Sequence, residues 1–223
     1  MKAMVLAAGR GERLRPLTDR TPKPLLVVRG KPLIVWHLEA LARAGVGEVV
    51  INLSWRGALL RGALGNGARY GLQIQYSEES AGALEVGGGI FQALPLLGAA
   101  PFIVVNGDTF TDLDFARLAI APDALAHLLL VPNPPHHPQG DFALHEGAVV
   151  AAGEPRLTYA GIGIFRPELF ARCVAGRFPL LPLLREAIAA RRLTGERFDG
   201  AWADVGTAER LAGLNDMPHD ASS

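Results

Sequence analysis

A single cysteine, Cys173, stands in 223 residues, so the chain can form no internal disulfide and no cysteine-based metal centre. Long apolar runs are also missing. No stretch approaches the ~18 residues that a spanning helix needs, so no membrane segment is expected. The N-terminal MKAMVLAAG holds one lysine and a short apolar run before glycine and arginines intervene; it lacks a signal peptide's core and cleavage site and reads as a first β-strand. A surplus of one charge is absent too: 22 Lys and Arg balance 22 Asp and Glu. That balance argues against nucleic acid or an anionic membrane as partner, since both require a basic surface. The expected compartment is the cytoplasm.

Apolar runs alternate with helical patterns. Ala3–Ala8 is continuous, as in a buried parallel strand. Pro32 suits a first helical residue, Ile34, Leu38, Leu41 and Ala42 follow at helical spacing, and Gly45 closes the helix. Further strands are expected at Glu48–Leu53, Leu72–Ser77, Pro101–Asp108 and Ala126–Asn133, with helices at Trp55–Leu64, in IFQALPLL after Gly87–Gly89, and near Asp114–Ala119. Beyond the proline-rich NPPHHPQGD, strands are expected near Gly147–Ala151, Thr158–Phe165 and Phe198–Asp204, and helices near Pro167–Ala175 and Leu180–Arg192. The pattern predicts an α/β fold, a Rossmann-like mixed, mostly parallel sheet flanked by helices. One domain over 1–215 is expected, with parts 1–132 and 133–215 sharing one sheet, and a disordered tail at 216–223.

The chemistry starts in VLAAGRGERLRPLT, Val5–Thr18. A glycine-rich loop after a first strand lets backbone N–H groups approach phosphate oxygens. Leu14 replaces the third glycine of the dinucleotide fingerprint, no acid ends the second strand, and no Gly-Lys-Ser/Thr follows, so both common nucleotide motifs fail. Arg10, Arg13 and Lys23 nevertheless bracket the loop with positive charge, and Pro22 and Pro24 restrict the backbone around Lys23. Further on, the strand IVVNGD ends in Asp108. A carboxylate at the carboxyl end of a buried strand needs a partner, and beside phosphates a Mg²⁺ ion is the natural one. Asp204 in WADVGT lies near the end of the last strand. Asp112 and Asp114 read as helix caps. His37 falls in a helix, and His136 and His137 among prolines show no ligand spacing.

LAAGRGERLRPLTDRTPKPLL resembles the N-terminal signature of the sugar-1-phosphate nucleotidyltransferases, L-A-A-G-x-G-x-R-L-x-P-L-T followed by T-P-K-P. The resemblance implies a nucleotide-diphospho-sugar transferase fold of GT-A-like type. It assigns Leu6, Ala8, Gly9, Gly11, Arg13 and Lys23 to the nucleotide, with Arg13, Lys23 and Asp108 catalytic. Asp108 and Asp204 would hold Mg²⁺ against the α-phosphate. In IQYSEESAGALEVGGGIFQAL, Gln75 and Gly82 would meet the base; Val86 stands where relatives carry threonine. Asn106, Gly140, Asp141, Glu154 and Gly161 would contact the sugar. NPPHHPQGDF, YAGIGIF and VVNGD most resemble the subgroup that joins UTP to N-acetylmuramate α-1-phosphate in peptidoglycan recycling. Mannose-1-phosphate with GTP and glucose-1-phosphate with UTP or dTTP are the alternatives within the family, and a non-catalytic nucleotide-sugar sensor the alternative outside it. The expected partners are a nucleoside triphosphate and a sugar 1-phosphate, and the expected assembly is a monomer.

Overall fold

Successive residues of the first apolar run enter opposite layers. Ala3 and Val5 of β1 (Lys2–Leu6) belong to one buried cluster and Met4 to another, and none has exposed surface. A strand covered on both faces belongs in the middle of a three-layer sandwich. The computed structural model, which describes residues 1–79 and 82–216, has that form.

In chain order β1 is followed by α1 (Leu17–Arg20), the short strands β2 (Val27–Val28) and β3 (Lys31–Pro32), α2 (Leu33–Arg43), β4 (Glu48–Leu53), α3 (Gly57–Leu64), β5 (Gln73–Glu78), α4 (Glu85–Leu97) and β6 (Phe102–Asn106). Then come β7 (Thr109–Thr111), β8 (Ala126–Val131), β9 (Phe142–His145), β10 (Ala148–Val150), β11 (Arg156–Phe165), α5 (Leu181–Ala189), β12 (Leu193–Arg197), β13 (Trp202–Asp204) and α6 (Ala208–Asp216). Nine strands form one sheet in the order β5-β4-β1-β6-β11-β8-β12-β10-β9. The β5-β4-β1-β6 half is parallel and right for βαβ crossovers. β11 enters antiparallel to both β6 and β8, so parallel pairing beyond it is confined to β12 with β8.

Ile34, Leu38 and Leu41 of α2 and Leu60 and Leu64 of α3 pack on one face against Val5, Ile51 and Ile103. On the other face Ile90, Ala93 and Leu97 of α4 and Leu184 and Ala187 of α5 cover Met4, Val50 and Val104. Among the described residues no helix is long and apolar enough to cross a membrane.

Several local expectations shift. Gly87–Gly89 lie inside α4 rather than before it, because that turn packs on Phe178, whose carbonyl oxygen accepts from Gly88 N at 3.0 Å. The helices expected near Asp114 and Pro167 shrink to single 3₁₀ turns, Phe115–Arg117 and Pro167–Phe170; Asp114 caps the first by accepting from Ala116 N at 3.0 Å. β9 and β12 were not anticipated, and the strand expected at Phe198–Asp204 is the short β13, outside the main sheet. Asp216, assigned to the tail, closes α6. The rest of that tail, 217–223, lies outside the described residues.

Candidate active site

The opening loop is built from its glycine and its anchors. Gly11 adopts φ 67°, and a Cβ there would sit 3.0 Å from Thr18 Cγ2, so a larger residue would be strained in the turn. Thr18 Oγ1 donates to Gly11 O at 2.9 Å, and Leu14, 1% exposed, pins the following 3₁₀ turn into the core. The chain then brings Lys23, flanked by Pro22 and Pro24, back under the loop. Its side chain is almost wholly buried, and its ammonium reaches Asp108 Oδ2 at 2.5 Å. Arg10 lies over the Trp55 ring at 4.5 Å.

β6 ends at Asn106, and Gly107 N donates to Leu6 O at 2.9 Å, which holds the ends of β1 and β6 together beneath Asp108. Asp204 comes from the far end of the chain. β13 pairs antiparallel with β7, setting Asp204 opposite Thr109, and Val205 N donates to Asp108 O at 2.7 Å. The backbones carrying the two aspartates are therefore neighbours. Among the described residues Leu6, Ala8, Gly9, Gly11, Arg13, Lys23, Asn106 and Asp108 line one cleft of about 450 Å³. Gly206, two residues past Asp204, lines it as well.

Gly161 meets this group from β11. The register against β8 shifts between Tyr159 and Gly163, and Gly161 takes φ 73°; a side chain there would run into Asn106. Other expected residues lie elsewhere. Gln75 sits mid-strand in β5 opposite Val50, short of the carboxyl end, and its Nε2 donates to Glu48 Oε2 at 3.3 Å; it does not line the cleft. Gly82 borders an adjoining cavity of about 820 Å³ beside Trp55, Arg10 and Arg56. Gly140 and Glu154 line a third cavity of about 490 Å³ with Asn133 and Arg156. Asp141 lines none of the three; its Oδ2 accepts from Tyr159 N at 2.8 Å, and His137 Nε2 lies 3.1 Å from its Oδ1.

The wall that sequence reasoning missed is polar and buried. Asn52, near the end of β4, accepts from Ala7 N at 2.6 Å through Oδ1 and donates to Glu79 Oε1 at 2.7 Å through Nδ2. Glu79 Oε2 accepts from Leu84 N at 2.7 Å. Both residues line the cleft and both are almost fully buried. A polar residue closing an otherwise apolar strand, as in INLS, was the available signal.

A carboxyl-end cleft with a cationic glycine turn facing an acid is the arrangement expected of a nucleotide-handling α/β protein. A family model described as nucleotidyl transferase matches residues 2–142, from β1 through the cleft to the start of β9. The chain belongs to the nucleotidyl transferase family. Over 220 residues it is 54% identical to the N-acetylmuramate alpha-1-phosphate uridylyltransferase of Neisseria meningitidis serogroup B, covering 95% of each chain. The protein of that description from Caulobacter vibrioides is 37% identical over 220 residues, covering 92% of this chain and 91% of its own. Among solved structures, HddC from Yersinia pseudotuberculosis complexed with GMP-PN superposes with a TM-score of 0.79 at 21% identity, over 96% of this chain and 98% of its own. That likeness is one of fold.

The donor set of this nucleotidyl transferase also bears on a metal. Among the described residues no group of three or more His, Cys, Asp and Glu gathers into a metal site. Asp108 and Asp204 stand on neighbouring backbones as a pair of hard oxygen donors. Two carboxylates completed by phosphate oxygens suit Mg²⁺, which rarely occupies an all-protein cage. The residues fit a metal that is shared with a substrate.

Proposed function

We propose that this nucleotidyl transferase joins UTP to N-acetylmuramate α-1-phosphate, forming UDP-N-acetylmuramic acid and pyrophosphate. The observation that carries the reaction class is the cleft itself, in which Arg13 and Lys23 share one cavity with Asp108 beside the strand of Asp204. The identity of 54% across 95% of both chains supports the substrate pair.

The glycine turn offers backbone N–H groups to the triphosphate, and Arg13 adds a guanidinium fork. Lys23, fixed by its prolines and buried stem, contributes a point charge whose position is set before substrate arrives. A phosphate oxygen of the sugar 1-phosphate attacks the α-phosphorus. The bond from that phosphorus to the bridging oxygen breaks, and pyrophosphate leaves with the electron pair. The attacking oxygen is already anionic, so no general base is required, and none of the six histidines is assigned a proton. Asp108 and Asp204 would hold Mg²⁺, which when bound supplies positive charge to the α-phosphate. Asn106, with Gly161 against it, borders the sugar side.

Pyrophosphate release across a panel of nucleoside triphosphates and sugar 1-phosphates tests the reading. The UTP and N-acetylmuramate α-1-phosphate pair is expected to give the highest kcat/KM. A mannose-1-phosphate and GTP pair about tenfold better, equivalent to 1.4 kcal/mol in the transition state, would reassign the substrates.

A further inference from the structure

Asp204 is not an open ligand. Arg210 Nη1 is paired with its Oδ2, and His136 Nε2 lies 3.0 Å from its Oδ1. Arg210 Nη1 also lies 2.8 Å from His136 Nε2, so one helix and one loop converge on a single carboxylate. The guanidinium rests over Gly206, where a Cβ would collide with it, and Gly206 itself lines the cleft. The cation therefore sits at the cleft's edge.

The backbone that carries Arg210 is anchored independently of this contact. Leu214 of α6 is buried with Val28, Leu33, Phe110 and Val205. Asn215 accepts from Arg29 N at 2.7 Å and donates to Val27 O at 3.3 Å. A swing of the Arg210 side chain would leave α6 in place. Asp108 is likewise paired, with Lys23. Each of the two aspartates thus pairs with a cation from its own chain.

We propose that Arg210 is a resident counter-ion at Asp204 that a divalent cation must displace. Its presence weakens metal binding to the empty protein, so the metal is retained when the triphosphate supplies further oxygens. The proposal rests on the assignment of Asp204 as a metal carboxylate under the proposed function. Arg210 is a positioning residue in this account, acting through Asp204.

The test is Mn²⁺ binding to the nucleotide-free protein, read from the electron paramagnetic resonance signal of the free ion, with folding of each variant checked by circular dichroism. Arg210→Gln removes the competing charge and is expected to tighten Mn²⁺ binding roughly tenfold, while Arg210→Lys, which keeps a cation, stays near wild type. His136→Ala removes the second contact to Asp204, together with its contact to the Arg210 side chain, while leaving the residues of α6 in place, and is expected to tighten binding by a smaller factor, which keeps the question open to an answer should Arg210→Gln not fold. Asp204→Asn should weaken binding and, combined with Arg210→Gln, erase the gain. Unchanged or weaker binding in a folded Arg210→Gln variant overturns the counter-ion proposal; so, if that variant does not fold, does unchanged or weaker binding in His136→Ala. In either case Asp204 remains a metal carboxylate provided that Asp204→Asn still loses Mn²⁺. Mn²⁺ binding that is indifferent to Asp204→Asn overturns both readings at once.

Discussion

Asp108 and Lys23 form an ion pair of unequal partners. The Asp108 side chain is 39% exposed and opens to the cleft, whereas the lysine side chain is 10% exposed. A buried ammonium is costly unless a carboxylate faces it, so Asp108 both satisfies Lys23 and presents oxygens to the cleft. Asp108→Asn keeps the shape and an acceptor for Lys23 but removes the negative charge. The expected result is a fall in kcat of about 10²–10³-fold in pyrophosphate release, the scale of one lost electrostatic contact in a transition state. Far-ultraviolet circular dichroism should remain that of the parent. Near-parental turnover in this variant would remove Asp108 from the mechanism. Legibility at this scale followed sequence distance. The glycine turn, Arg13 and Lys23 fall within one contiguous signature, and the carboxylate at the end of IVVNGD stood out by its chemistry. Asn52 and Glu79 belong to no local motif, since the pairing of β4 with β5 brings the end of one strand beside the residue that follows the other. Four positions separate the expected Gln75 from Glu79, and over that span the chain runs past the end of the edge strand β5 and into the cleft wall.

At the scale of elements, α2 was among the clearest features of the sequence, and it places His37 against β7. That ring is buried, and Nε2 lies 2.7 Å from Thr109 O. A carbonyl oxygen only accepts, so Nε2 carries the proton and donates. Burial is the largest influence on the imidazole and pushes its pKa down to about 4, against the partial upward pull of the Thr109 bond and the Asp108 charge. The native state therefore binds fewer protons than the unfolded chain between pH 6.5 and about 4. Stability is complete above pH 6.5 and is lost as the pH falls through that window, by about 3 kcal/mol at 1.36 kcal/mol per unit. Urea unfolding from pH 7 to pH 4 checks this. His37→Gln keeps a donor for Thr109 but does not titrate, so its acid slope should be shallower than the parent's. The half-buried His127 is also shifted down by burial and contributes to both proteins alike, which leaves the difference to His37. An unchanged slope would place the acid sensitivity elsewhere. Other elements were harder to read because tertiary context decided them. Three glycines look like a loop until Phe178 is packed against them, the short β9 forms a hairpin with β10, and β12 draws its partner β8 from far away in sequence.

At the scale of the whole molecule, the change in composition after Asn133 marks a change in connectivity and leaves the sheet continuous. The alternation of strands and helices made the parallel half legible: β4 returns beside β1, β5 beside β4, and β6 crosses back to the other side of β1. The later strands do not follow that rule. β11, near the C-terminal end of the strand series, is fifth of nine in space and pairs with β6 on one side and β8 on the other. Both large clusters run through it: Ile162 and Ile164 belong to one, Phe165 and Leu157 to the other. A chain with so central a late strand should unfold as one unit, since removing 133–216 would strip the partner from β6 and uncover both layers. Trp55 reports on the region beside the parallel half, and Trp202, on β13 with its Nε1 donating to Ala160 O at 3.0 Å, reports on the later part. In variants that each keep only one of these tryptophans, urea transitions followed by fluorescence are expected to share a single midpoint and slope once corrected for the stability of each variant. Two separated midpoints would show that the parts before and after Asn133 fold as independent units, and β11 would have to part from both β6 and β8, and β12 from β8.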